Sequence, residues 1–459
     1  MFAVIPVVLE IIFVILKPHE LYPLLGLVKP VFLLPAIIIA SGFMKSGRTN
    51  ATPYFQFMIG LFVWSLVCTI VANSSQFVDQ AIPWGTSILL AGSISQNLQK
   101  PKLFRAIAAS MVGMTLFLSY AAIDQAMSPQ KCFFSTPHEA WKNWPMGNSC
   151  ATPEQCIPEN QQDDDNTYKC EHAGIMETTS TDGRIRFRGY LEDPNEISLA
   201  TAMGLPLAFA FFERKKKFFS GAVMIIALIA VPWAVFLSQS RGSLIALFAG
   251  FGIKFVRRFG WKIGGIAGGL AAIPLVVVMG MSGRAEADAE ESARERIELL
   301  HGGITMVKAS PVIGVGVGGF TNHEFLTAHN SYVLAAAEMG LVGFLTWSIV
   351  IYLSLKTPLA VFSRLKDNDT EEAREVKIWS TAIFCSLLSG LIGSFFLSWS
   401  YHNYLWIFIG LTGAFFGMAK AEFPKLDVKI SGKEVGILFG INIVLLVVIN
   451  FYTLYKMNH

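Results

Sequence analysis

Residues 331–356 read SYVLAAAEMGLVGFLTWSIVIYLSLK. Between Ser331 and Leu355 the run is almost wholly apolar. A helix of about 20 residues crosses the roughly 30 Å hydrocarbon core of a bilayer, so this run is long enough to span one. Lys356, Arg364 and Lys366 follow its C-terminal end, and His329-Asn330 precedes its first residue. The run therefore has a basic end and a polar, histidine-bearing end.

Twelve further stretches resemble it, at about 2–17, 26–44, 55–73, 78–95, 104–124, 195–213, 218–237, 240–256, 262–280, 377–398, 403–419 and 435–455. Composition agrees. The chain is 53% hydrophobic and 15% charged, where a soluble domain carries roughly a quarter charged residues. A net charge of +3 is too small to point to a nucleic-acid partner. The first apolar run begins at Met1 without a basic leader or a small-residue cleavage site, and reads as a retained span. The expected fold is an all-α, polytopic transmembrane bundle of about 12–13 spans.

Basic connections orient it. Lys45 and Arg48, Lys100 to Arg105, Arg214 to Lys217, Arg257 to Lys262, Lys356 to Lys366, and Lys420 with Lys425 all fall on one side when the spans alternate. Positively charged loops stay cytoplasmic, so the N-terminus is expected inside and two long loops outside. The organisation read from this is 1–124 N-terminal helices, 125–194 cysteine-containing outer loop, 195–280 central helices, 281–330 second outer loop and 331–459 C-terminal helices.

Cys132, Cys150, Cys156 and Cys170 crowd into the first outer loop. An even number there points to two disulfides in an oxidising compartment. Three pairings are open. Zinc is the weaker alternative, because no C-x-x-C spacing is present. Cys68 and Cys385 lie inside apolar runs and read as inert packing residues. The loop is Pro-, Asn- and Asp-rich and is expected to be irregular. Asp163-Asp164-Asp165 reads as a solvated turn.

In the second loop, Ile297, Leu300, Ile304 and Val307 recur at helical spacing, predicting an amphipathic helix over about 292–308 that could lie on the membrane surface. Pro311 stops it, and Gly314, Gly316, Gly318 and Gly319 predict a flexible turn.

Four outer segments could carry chemistry. Arg188 to Asn195 runs into the sixth span, with Asp193-Pro194-Asn195 most simply capping it. Ser238 to Ser243 contains Arg241, an arginine on the side that the charge rule leaves poor in cations, and so a functional candidate. Arg296 lies on the amphipathic helix beside Arg294, where Glu295 and Glu298 offer a bland pairing. His329 has the free pKa of a general base, with Asn330 and Ser331 as helix caps and Gly340 and Gly343 as close-packing positions.

Together these segments resemble the O-antigen ligase and polymerase superfamily of bacterial envelope glycosyltransferases. Arg296 to Leu300 fits its Arg-x3-Leu motif. His329, Asn330, Gly340 and Gly343 fit its His-Asn-x9-Gly-x2-Gly motif, and Pro311 to Gly316 fits the Gly-rich stretch between them. Ser240-Arg241-Gly242 is similar to the family's upstream arginine. The resemblance is specific over about 238–345, and the cysteine loop is not a general family feature. It implies a C-type glycosyltransferase-like bundle in the bacterial inner membrane, working at the periplasmic face without metal or cofactor. The donor would be a polyprenyl-diphosphate-linked glycan among membrane lipids, and the acceptor lipid A–core, a growing glycan or a protein. Arg241 and Arg296, with Arg188 and Arg294 as further candidates, would hold the diphosphate, and His329 would be the base of an inverting transfer. Ligase, polymerase and protein transferase are not separated by these residues. A small-solute transporter is disfavoured, since no inverted repeat or midplane charge cluster is visible.

Overall fold

The computed structural model describes residues 4–22, 52–135, 144–159, 167–257 and 286–458, with Leu24, Leu25, Ile37, Gly260 and Lys262 as isolated positions. The expected spans at about 26–44 and 262–280, and the Asp163-Asp164-Asp165 segment, lie outside the described residues.

A helix occupies each remaining expected span. In chain order these are α1 (Val4–Leu16), α2 (Phe55–Ala72), α3 (Phe77–Asn97), α4 (Pro101–Met127), α5 (Pro194–Arg214), α6 (Phe218–Leu237) and α7 (241–257). The second loop supplies α8 (Glu286–Ala309). The C-terminal part supplies α9 (Ser331–Arg364), α10 (Glu371–Gly393), α11 (Asn403–Glu422) and α12 (Gly432–Asn458). Among the described residues, eight of these helices are long and apolar enough to cross a membrane.

The burial pattern identifies the solvent. The three most apolar of the eight, α12, α6 and α2, are the least enclosed, with 11%, 22% and 28% of their apolar windows buried. The less apolar α11 is 89% buried. In water the ranking would be reversed, because exposed apolar surface is unfavourable there; in lipid the outer face is the apolar one. This is a polytopic helical membrane protein.

The buried centre is built from α11, α9, α10 and α5. α11 packs on α3, α10 on α5 and α9, and α2 on α9. Small residues let these backbones approach. A side chain at Gly410 of α11 would meet the Ala91 carbonyl of α3 at 2.7 Å, and one at Gly393 of α10 would meet Leu199 of α5 at 2.3 Å.

Three sequence expectations are corrected. First, the described part of the cysteine loop is not irregular. It forms an antiparallel sheet of order β2-β1-β3-β4, from β1 (Gln130–Phe134), β2 (Trp144–Ser149), β3 (Tyr168–Gly174) and β4 (Thr178–Thr179). Cys132 lies opposite Cys170 across β1 and β3. The disulfides run elsewhere, Cys132 to Cys156 and Cys150 to Cys170. Each closes a loop of 24 or 20 residues, which removes about 3 kcal/mol of chain entropy from the unfolded state. That supports strands too short and polar to persist alone. The buried Glu171 carboxylate completes the fold, accepting from the Ser180 hydroxyl and, at 2.7 Å, from the Asp182 amide.

Second, α8 does not present a single stripe to a membrane surface. It packs between α9 and α12. Leu299 and Met306 are buried with Ile304 and Val307, while Ile297 and Leu300 are half-buried. The apolar face is wider than four positions because it serves two neighbours.

Third, the Gly-rich turn is a fixed connector. α9 is broken at Gly340, whose φ of 64° and ψ of −176° lie outside helix. The break removes the helical donors from the carbonyls before it. Val315 and Gly316 amides donate to Ala337 and Glu338 carbonyls at 2.9 and 3.0 Å, and the Trp64 indole donates to Met339 at 3.0 Å. In return, the Leu341 amide donates to Pro311 at 2.8 Å. Val317 is held at the end of α2, with its amide donating to Thr69 Oγ1 at 3.2 Å and its carbonyl accepting from Asn73 at 3.3 Å.

Candidate active site

Several helix ends meet where the sequence places its polar motifs. Asp193 caps α5, accepting from the Asn195 amide at 2.6 Å and its side-chain amide at 2.7 Å. Pro194 occupies the first helical position, where its missing N–H costs nothing. The segment before α7 is bonded to this cap. Ser243 Oγ donates to the Asn195 carbonyl at 3.0 Å, and Ser198 donates to Ser243 at 2.7 Å. Arg184 ties both together, reaching the Ser238 carbonyl at 3.0 Å and Asn195 Oδ1 at 3.2 Å. Arg241 is the first residue of α7, and its side chain is exposed. A side chain at the adjacent Gly242 would lie 2.8 Å from the Phe396 ring, so α7 abuts the loop between α10 and α11.

That same loop holds the start of α9. Asn330 Oδ1 accepts from the Tyr332 and Val333 amides, both at 3.0 Å, and Nδ2 donates to the Phe395 carbonyl at 3.1 Å. Ser331 donates from Oγ to Leu397 at 2.6 Å and accepts from the Trp399 amide at 2.7 Å. These carbonyls exist because α10 ends at Gly393 rather than continuing to about residue 398. With its neighbours fixed on both sides, His329 is half-buried in the left-handed region at φ 46°. That conformation costs a non-glycine residue on the order of 1 kcal/mol and marks a constrained position.

The electrostatics at His329 bring three of the candidates together. Burial pushes its pKa below the usual 6.5, the Arg296 charge lowers it further, and Asp193 opposes both. The ring is therefore neutral near pH 7, with a cation and a carboxylate in its field. Arg296 is half-buried, whereas Arg294, two residues away and on the other side of α8, is exposed. Leu300 follows Arg296 by one helical turn and packs against the core. Arg188 is held within the folded cysteine loop, donating to the Met176 carbonyl at 3.1 Å. Gly340 is the helix break, and a side chain at Gly343 would come within 3.0 Å of the Trp64 indole.

Residues 223–348 match a family model described as O-antigen ligase. Over those residues the chain is similar to the O-antigen ligase family. The matched region contains Arg241, Arg294, Arg296, Leu300, His329, Asn330, Gly340 and Gly343, while Arg188, Asp193, Asn195 and the four paired cysteines lie upstream of it. No curated protein matches the chain.

Beyond these motifs, the structure shows residues that spacing did not single out. Arg184 bonds two segments of the site, and the 394–402 loop seats the His-Asn-Ser segment. Glu338 is buried beside the Gly340 break and accepts from the Phe320 amide at 3.3 Å. Its signal was available, as the single carboxylate in the apolar run 331–355. Nothing in the sequence marks the 394–402 loop. Among the described residues, Cys132, Cys150 and Cys156 bring metal-ligand atoms within mutual reach, but all three sulfurs are in disulfides and offer no thiolate.

Proposed function

We propose that the protein transfers a glycan from a polyprenyl-diphosphate carrier to an acceptor hydroxyl, in the manner of an O-antigen ligase, at the outer face of a bacterial inner membrane. The observation that carries this reading is a neutral histidine, His329, constrained at a helix start with Arg296 and Asp193 in its field. Neutral imidazole accepts a proton from the acceptor hydroxyl as its oxygen attacks the anomeric carbon. The bond from that carbon to the diphosphate oxygen breaks, and the lipid diphosphate leaves with the electron pair. Attack opposite the leaving group inverts the centre. Arginine forks at 296 and 241 match the phosphate oxygens on which charge accumulates. Asp193 stabilises the imidazolium formed in the step. The basic connections on the opposite side of the bundle support the orientation.

The test is paired, with lipid-diphosphate donor binding and product formation measured on the same purified variants. His329→Ala is expected to keep donor binding and to lose transfer by about 10²–10⁴-fold, the usual contribution of base catalysis. His329→Gln should be no better, since an amide does not take the proton. Transfer retained within a few fold would remove His329 from the mechanism. Loss of donor binding along with transfer would make it a donor ligand instead.

A further inference from the structure

A second polar site lies at the other end of the same helices. α5, α7, α9 and α10 each have one end at the His329 site, through Asp193, Arg241, Ser331 and Gly393. Their opposite ends enclose a cavity of about 530 Å³. Among the described residues, its lining carries Lys216, Lys254, Arg257, Lys366, Arg374 and Lys377 against one carboxylate, Glu213. Between the charges the wall is apolar and aromatic, including Phe209, Phe212 and Phe251.

The cations are graded by depth. Lys216, Lys366 and Arg374 are exposed at the rim. Lys254 is buried and pairs with Glu213 at 3.0 Å. Lys377 is bound to the Lys366 and Asn368 carbonyls at 3.3 and 2.8 Å, which fixes the turn after α9. Arg257 lies 4.2 Å over the Phe362 ring, and its buried Nη1 meets no acceptor among the described residues. A buried guanidinium N–H without an acceptor is costly, and five donors in a planar fork select a phosphate.

We propose that this cavity binds the phosphodiester headgroup of an anionic phospholipid, with the acyl chains leaving along the Phe-lined wall between the helices. Three features select a lipid over a free anion. The cavity opens among helix ends of a membrane-embedded bundle, its wall is largely apolar, and the charge lies at the end carrying the basic loops. Basic pockets between spans on that side are where anionic headgroups are attracted. Nothing in the transfer reaction requires the site, so it stands or falls apart from the function proposed above.

The full chain, delipidated in a non-ionic detergent, is titrated with phosphatidylglycerol, phosphatidylcholine or inorganic phosphate and read by native mass spectrometry. Phosphatidylglycerol is expected to occupy one site at concentrations where the other two leave it empty. The double variant Arg257→Gln with Arg374→Gln should weaken that binding by roughly 10–100-fold. The rim pair Lys216→Gln with Lys366→Gln touches no buried packing, and should weaken it by a smaller factor even if the first variant folds poorly. Glu213→Gln should strengthen it, because Lys254 is then released to the ligand. Equal binding of phosphatidylcholine, equal binding of inorganic phosphate, or unchanged affinity in the rim variant would each overturn the proposal.

Discussion

His329 makes a prediction whose sign is fixed by its surroundings. Burial and Arg296 hold its pKa below 6.5, while Asp193 raises it. The base proposed above must be neutral to act, so transfer should persist as pH falls past the ordinary histidine range and disappear only as pH drops through the depressed value. Arg296→Gln removes a cation and should move this acid limb upward. Asp193→Asn removes an anion and should move it downward. A purely structural defect would lower the amplitude of the pH–rate curve and leave the limb in place. Limbs that coincide in all three proteins would sever His329 from both residues. At this scale the sequence was informative about residue type and poor about company. The His-Asn and Arg-x3-Leu spacings named Arg296 and His329. What separates Arg296 from Arg294 is the rotation of α8 between α9 and α12, which one exposed and one half-buried side chain report only after folding.

At the scale of elements, the spans were legible because length and apolarity alone define them, and α2, α4, α5, α6 and α9 begin where expected to within three residues or fewer. The break in α9 was not legible. A glycine in an apolar run is common, and the groups that satisfy its freed carbonyls, Val315, Gly316 and Trp64, are remote in sequence. The sheet was hidden for a related reason, since β1 and β3 are separated by more than thirty residues and the disulfides that tie the loop are not fixed by spacing. The break yields a direct test. A side chain at Gly340 would lie 2.1 Å from the Val312 carbonyl and would need φ of 64°. Gly340→Val is therefore expected to destabilise the protein by about 2–4 kcal/mol. Gly436→Ala is the control, since nothing lies within 4 Å of the added methyl on α12. It should be neutral or stabilising by up to about 1 kcal/mol. Thermal unfolding in detergent distinguishes the two, and an unshifted midpoint for Gly340→Val would show that the 311–316 connector yields.

The whole molecule separates two chemical environments along the helix axes, and its own cysteines report the separation. At one end lie the disulfide-bonded loop and His329; at the other lie Lys215 to Lys217 and Lys366. If the charge rule sets the orientation, the loop meets an oxidising compartment and the lysines a reducing one. Cys68 and Cys385 are the free thiols, and both are buried, so native protein should not react with a membrane-impermeant maleimide. Denatured without reductant it should take up two labels, and after reduction six. This quiet background allows single cysteines to be added at each end. Asp182→Cys lies in an exposed turn of the loop and should label in cells whose outer membrane alone is permeabilised. Lys366→Cys is exposed at the opposite end and should label only after the inner membrane is opened. The reverse pattern would invert the topology and place His329 on the side where nucleotide sugars rather than flipped lipid-linked glycans are the available donors. Labelling of both sites in the first condition would mean that the four helices joining the two ends do not cross the bilayer, and the inverse relation between apolarity and burial would then need another solvent to explain it.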